Sequence, residues 1–140
     1  MTTPLSPYLT FNGSCAQAMT FYQKTLGGKL DMMKMKDAPP SPNVSAKDGD
    51  RIMHARLVFD GGTILASDVT SSMKYEPMQS ISLSITFPTA DAAKKTFDTL
   101  ASGGKATMPL NASFFADAFG MVVDRFGTPW IITGGMKPGM

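Results

Sequence analysis

Apolar and polar positions alternate in short runs along this chain, and between the runs the period lengthens to that of a helix. Over residues 7–12, Leu9 and Phe11 share one face while Tyr8, Thr10 and Asn12 share the other, which predicts a short strand. Asn12-Gly13-Ser14 brings turn and N-cap chemistry. Cys15, Ala18, Met19, Tyr22 and Leu26 then mark the buried stripe of an amphipathic helix. Gly27-Gly28 ends it, since glycine takes the left-handed closing conformation at little cost. Leu30–Met35 predicts a second strand, with Met32, Met33 and Met35 read as core filling. Residues 36–50 hold three prolines and no apolar period, which predicts a loop. A loop of that length is uncommon in a compact domain unless it is functional or mobile. Arg51–Phe59 alternates Met53, Ala55, Leu57 and Phe59 against His54, Arg56 and Val58. Asp60-Gly61-Gly62 then turns the chain back into a fourth strand over 63–67.

The plan repeats. Residues 9–29 laid over 85–105 without a gap match at Thr10/Thr86, Phe11/Phe87, Ala16/Ala92, Thr20/Thr96, Phe21/Phe97, Gly27/Gly103, Gly28/Gly104 and Lys29/Lys105. Two copies argue for a duplicated module and against a solenoid. In the second copy, Ser80–Phe87 alternates strictly. Thr89 caps a helix with Asp91 on its dipole and Ala93, Phe97 and Leu100 on its buried stripe. Lys105–Pro109 predicts a strand, and 111–119 an irregular aromatic segment. Gly120–Val123 and Pro129–Thr133 form a hairpin across Asp124-Arg125-Phe126-Gly127, and the tail from Gly134 to Met140 is expected to fray.

Two tandem βαβββ modules make an α+β fold. The expected organisation is a single domain over 1–140, with modules at about 5–68 and 80–135, a linker at about 69–79 and a tail at 136–140. Two curved mixed sheets would each put an apolar face on a helix and together enclose a cleft. Strand parity points Tyr8, Thr10, His54, Arg56, Ser82, Ser84, Thr86 and Ile131 toward it.

Composition narrows the function. A formal charge of +2 with scattered Lys and Arg gives no nucleic-acid footprint, and no apolar run approaches the length of a membrane span. The N-terminus lacks the layout of a signal peptide and one cysteine excludes an intrachain disulfide framework, so a cytoplasmic protein is expected. The chain has one histidine, one glutamate and one cysteine. A catalytic Zn, Ni or Fe site usually takes three protein ligands, mostly His with a carboxylate, so no His-rich metal centre fits within one chain. No serine is placed against His54 for a nucleophilic triad, and no Gly-x-Gly-x-x-Gly opens a helix after a strand. No metal and no cofactor are expected. Cys15 reads either as a thiol activated by the helix N-terminus or as a small buried filler, and the filler is favoured because no partner lies nearby in sequence. His54 and Arg56 point the same way on one strand. They read as an anion site with an acid–base group beside it, or as a solvated face or subunit contact.

Phe21-Tyr22-Gln23-Lys24-Thr25-Leu26-Gly27, together with the duplicated plan, resembles the vicinal oxygen chelate superfamily of glyoxalase I, extradiol dioxygenases and fosfomycin- and bleomycin-resistance proteins. Leu5-Ser6-Pro7-Tyr8, the Cys15 helix, Met53-His54-Ala55 and above all residues 114–132 are similar to its PhnB-like (YjdN-type) subgroup. The resemblance covers nearly the whole chain. It implies one metal ligand from each of four strands, at Pro7 or Tyr8, at His54 or Arg56, near Ser82 and near Ile131. Of these, His54 alone is a usual ligand. It also implies a homodimer, a structural role for Asp124, and the name 3-demethylubiquinone methyltransferase that members often carry. Two functions follow as expectations. One is metal-independent binding of a small ligand, an anion being what His54 and Arg56 favour, in the manner of bleomycin-resistance proteins. The other is a glyoxalase- or dioxygenase-type enzyme whose unusual metal site a second copy completes.

Overall fold

The computed structural model describes residues 2–42 and 44–139, and they fall into two compact units, divided between Glu76 and Pro77. The first holds strand β1 (Tyr8–Phe11), helix α1 (Cys15–Leu26) and strands β2 (Lys29–Lys34), β3 (Ile52–Phe59) and β4 (Gly62–Asp68). The second holds β5 (Leu83–Phe87), α2 (Ala90–Ala101), β6 (Lys105–Asn111), β7 (Ala116–Val123) and β8 (Pro129–Met136). Each unit is βαβββ. The sheet orders are β1-β4-β3-β2 and β5-β8-β7-β6, with one parallel pair in each and the rest antiparallel. The α+β expectation and the duplicated plan hold.

The repeat has a physical cause. Gly27 and Gly103, the first glycine of each pair, sit at φ +79° and +74°, in the left-handed region that other residues enter only with strain. The second glycine meets a tighter limit. A Cβ on Gly28 would stand 2.2 Å from the Val58 carbonyl oxygen, and one on Gly104 2.3 Å from that of Val123. In both units, therefore, the chain leaving the helix passes against the backbone end of the third strand of its module. Only glycine fits there.

Each helix lays its apolar stripe on its own sheet. Cys15, Ala18, Met19 and Tyr22 are buried on α1, with Leu9, Phe11, Ala55, Leu57, Ile64 and Ala66 beneath them on the strands. On α2 the buried residues are Ala93, Thr96, Phe97 and Leu100. They come so near the sheet that a Cβ on Gly120 would stand 2.9 Å from the Phe97 ring, and one on Gly134 2.5 Å from the Ala93 Cβ.

The two helix N-termini are held differently. Thr89 caps α2 locally, its Oγ1 accepting the Ala92 N–H at 3.2 Å. Ser14 makes no such bond on α1, contrary to the sequence expectation. Its place is taken by Asp68 at the end of β4, which accepts the Gly13 N–H (2.8 Å), the Cys15 N–H (3.0 Å) and the Ile52 N–H (2.9 Å). Asp68 pairs with Phe11 across the parallel ladder, and Gly134 pairs with Phe87. The same place in the repeat thus holds a capping carboxylate in one unit and a bare glycine in the other.

Several boundaries move. Residues 80–82 lie outside β5, and Ser80 has φ 57°, which stops the strand at Leu83. The segment 111–119 is not irregular throughout, because β7 begins at Ala116. Its inward residues Ala116, Ala118 and Gly120 are too small to show a hydrophobic alternation. The expected frayed tail is strand as far as Met136, with Gly134 paired to Ala118 and Met136 to Ala116; Met140 lies outside the described residues. Met35 is buried, but Met32 and Met33 are largely exposed on the edge strand β2, so they do not fill the core. The 36–50 segment, Asn43 apart, is tethered and carries short 3-10 turns at Met35–Asp37 and Ala46–Asp48.

Gly104→Ala tests the steric limit cleanly, because Gly104 is not at positive φ. It is expected to cost about 3 kcal/mol or more, the upper range of overpacking. Gly27→Ala, with nothing within 4 Å of its added Cβ, is expected to cost about 1–3 kcal/mol from backbone strain alone, since its φ of 79° with ψ of −171° is a conformation open essentially to glycine. Urea unfolding midpoints of the two variants decide the point, and equal midpoints would refute the assignment of different roles.

Candidate functional site

Side chains that point away from α1 form the open face of the first sheet, and four of the eight sequence-predicted cleft residues lie on it. Tyr8 and Thr10 on β1, and His54 and Arg56 on β3, are all exposed. Their burial alternates with that of Leu9, Phe11, Ala55 and Leu57, as strand parity requires. The Tyr8 and His54 rings contact each other across β4, with centroids 6.2 Å apart and planes tilted by 39°. The register lines up Tyr8, Leu65, Arg56 and Asp31 in one row across all four strands. In the neighbouring row Thr10 pairs with Ser67, and His54 with Met33. Asp31 and Met33 belong to this face and were missed. The parity of the second strand carries the signal, but only the antiparallel register shows which residues they stand beside.

The remaining four candidates lie in the second unit. Ser84 is on β5, in a row with Ile131, Met121 and Met108, while Ser82 precedes the strand. Thr86 pairs with Thr133, which stands beside Phe119. The open face of this sheet is mainly thioether, aliphatic and aromatic. Asp117 on β7 and Lys105, paired with Val123, are its charged residues by the same parity.

Most other polar groups are committed to the fold. Asp124 accepts the N–H groups of Phe126 (2.8 Å) and Thr128 (3.1 Å) and the Trp130 indole N–H (2.8 Å), so it closes the β7–β8 turn and anchors the buried tryptophan. Asp48, only 2% exposed, accepts the Ser71 N–H and hydroxyl and the Ser45 hydroxyl, and faces the Arg51 guanidinium at 3.4 Å. Arg51 also donates to the Asn12 side chain and the Val69 carbonyl. These bonds pin the long loop to both ends of its unit. Burial pushes the Asp48 carboxyl up, but the Ser71 and Ser45 hydrogen bonds and Arg51 outweigh it and hold the pKa below the usual carboxylate value. Cys15 is fully buried, and burial, helped by the Asp68 charge, pushes its thiol up to about 12. The structure supports the filler reading: a thiol held neutral is no nucleophile near pH 7.

The superfamily's metal is a poor match for the donors present. The four positions that the resemblance implies offer Pro7 or a phenol (Tyr8), an imidazole (His54) or a guanidinium (Arg56), a hydroxyl outside the strand (Ser82) and a hydrocarbon (Ile131). Imidazole is the one usual ligand for Zn, Ni or Fe among them. Among the described residues no three His, Cys, Asp or Glu side chains are grouped to hold a metal ion.

Two βαβββ units, each a mixed four-stranded sheet with a helix on one face, are the glyoxalase/bleomycin resistance/dioxygenase fold. Within it, residues 3–133 match the family model described as 3-demethylubiquinone-9 3-methyltransferase. The chain is 36% identical over 138 residues to protein YjdN of Escherichia coli (strain K12), covering 92% of this chain and 93% of that one. Protein PA1353 from Pseudomonas aeruginosa, a crystal structure, has a TM-score of 0.90 at 36% identity and covers 97% of this chain and 100% of its own. A Bacillus cereus PhnB protein, titled a putative 3-demethylubiquinone-9 3-methyltransferase, shares the fold with a TM-score of 0.72 at 23% identity, covering 95% of this chain and 100% of that one. The chain belongs to this PhnB-like family.

Two predictions follow from the committed groups. Cys15 is expected to resist alkylation in the native protein at about pH 8 and to react fully in concentrated urea, as followed by mass spectrometry. Rapid native labelling would contradict its burial. For Asp48 the folded pKa lies below the unfolded value, so its stabilisation is fully present above about pH 4 and is lost as pH falls through the folded pKa. Asp48→Asn is expected to be less stable than wild type at neutral pH, and urea unfolding is expected to show the gap closing in acid. A gap independent of pH would exclude the carboxylate as the stabilising form.

Proposed function

We propose that this protein is a metal-independent homodimer that binds a small anion on the open face of its first sheet, close to Arg56 and His54. One observation carries the reading. Arg56 is exposed, stands on a rigid central strand, and has no hydrogen-bond or ion-pair partner among the described residues. A guanidinium in that state offers paired N–H donors to a carboxylate or phosphate. His54, two residues away on the same face, adds an imidazole that can hydrogen-bond a ligand, and Tyr8 adds a ring against which an organic ligand can pack. Binding without turnover fits this set better than catalysis. The donors suit recognition, and neither an activated nucleophile nor a metal-ligand cluster stands beside them.

Methyl transfer, named in the family's description, requires a cradle for its cofactor. The first βα turn does not offer one, because its Gly13 and Cys15 N–H groups already bind Asp68. Among the described residues no helix is long and apolar enough to cross a membrane, and the proposed location is the cytoplasm.

The test is a set of thermal melts with inorganic phosphate, benzoate and phenylacetate, beside metal analysis of the untagged protein and a solution mass measurement. A ligand that binds only the folded state raises the melting temperature. At least one anion is expected to do so, with the shift lost in Arg56→Gln, and the mass is expected to be that of a dimer. About one metal per chain, with a stabilisation by Ni²⁺, Zn²⁺, Mn²⁺ or Fe²⁺ that His54→Ala abolishes, would overturn the proposal in favour of a metal enzyme.

A further inference from the structure

Arg56 and Asp31 are direct cross-strand partners on β3 and β2. Their Cβ atoms therefore stand about 5 Å apart on the same side of the sheet. Opposite charges so placed commonly close on each other. Here neither side chain has an ion pair or hydrogen bond among the described residues, and both are exposed. Three other titratable groups share the face: Lys29, two residues before Asp31 and paired with Val58, His54, in the next row beside Met33, and Tyr8 on β1. The uncharged end of the row is Leu65 and Tyr8, with the Tyr8 ring against His54.

We propose that this open pair recognises a small zwitterion, with an amino acid as the chemical class. Its carboxylate lies on the Arg56 guanidinium, its ammonium on the Asp31 carboxylate, and its side chain along Leu65 toward the Tyr8 ring. The inference rests on the anion reading above and narrows it. The chemistry is complementary at both ends, since a guanidinium only donates and an ionised carboxylate only accepts. A ligand with one charge leaves the other protein charge facing it unmatched, so selectivity comes from rejection as well as attraction. The row geometry also fixes direction: the ammonium faces the β2 edge and the side chain faces β1.

The experiment measures melting temperature and affinity of the full chain with the common amino acids. Each is supplied free, N-acetylated to remove the cation, and as the amide to remove the anion. At least one free amino acid is expected to bind, with either modification weakening it about tenfold, the loss expected for one charge-assisted hydrogen bond. Asp31→Asn is expected to erase the difference between the free and N-acetylated forms while keeping the latter's affinity. Arg56→Gln is expected to lose both. Unliganded melting temperatures of the variants check that they fold; both positions are exposed, so little change is expected there. If free and N-acetylated forms bind wild type equally, or if no free amino acid binds while a simple anion does, the zwitterion inference falls and the anion reading stands. If amino acids and simple anions all fail to bind, both fall.

Discussion

Each unit depends on one close backbone approach. Where the chain leaves its helix it passes so near a strand-end carbonyl, Val58 in the first unit and Val123 in the second, that a single added carbon at Gly28 or Gly104 would overlap it. That contact sets how tightly the segment after the helix lies on the sheet, and hence where β2 and β6 start. The preceding glycine supplies the left-handed turn that aims the chain there. Sequence drift between the copies has changed most side chains around this point, but the pair Gly-Gly-Lys appears in both, because no rotamer change relieves a clash between a Cβ and a backbone oxygen.

Given that shared constraint, the copies diverge where packing allows a choice. At the ladder position opposite Phe11 and Phe87, one unit has Asp68 and the other Gly134. Glycine lets α2 settle onto the strand and leaves its N-terminus to a local threonine cap. Aspartate reaches into the N-terminus of α1 and gathers N–H groups from β3 and from the first turn. Removing the Asp68 carboxylate would leave the buried Cys15 and Ile52 N–H groups unpaired, a cost of about 1–3 kcal/mol for each, whereas the Ala92 N–H at the Thr89 cap is exposed to water. The consequence reaches function, since a helix terminus filled by the protein's own carboxylate is not available to an anionic ligand.

Two sets of charged residues in the first unit and the β7–β8 turn stand in contrast. Asp48, Asp68, Asp124 and Arg51 are buried or half-buried, satisfied by hydrogen bonds, and hold loops and turns in place. Arg56, Asp31 and His54 are exposed on a flat, hydrogen-bonded strand surface and have no polar partners among the described residues. Groups of the first kind have their bonding capacity consumed by folding. Groups of the second kind keep theirs open to water and, on the reading proposed above, to a ligand.

How much of this was legible follows the reach of each interaction. The strand faces of Tyr8, Thr10, His54 and Arg56, the buried stripes of both helices, the Thr89 cap and the duplicated plan depend on neighbours within a few residues, and the amino-acid order by itself determined them. The strand over 116–119 was hidden because its two inward positions, Ala116 and Ala118, are small residues that give no hydrophobic alternation. The true extent of β8 was hidden for the same reason, since Gly134 and Gly135 read locally as a tail and become strand only when β7 pairs with them. Asp68 as the cap of α1, Asp48 and Arg51 as the anchor of the loop, and Asp31 beside Arg56 each join residues that lie far apart in the chain. Those partnerships were decided by the tertiary structure alone, because sheet register and backbone approach are set by the packing of the whole unit and leave no periodicity in the sequence to read.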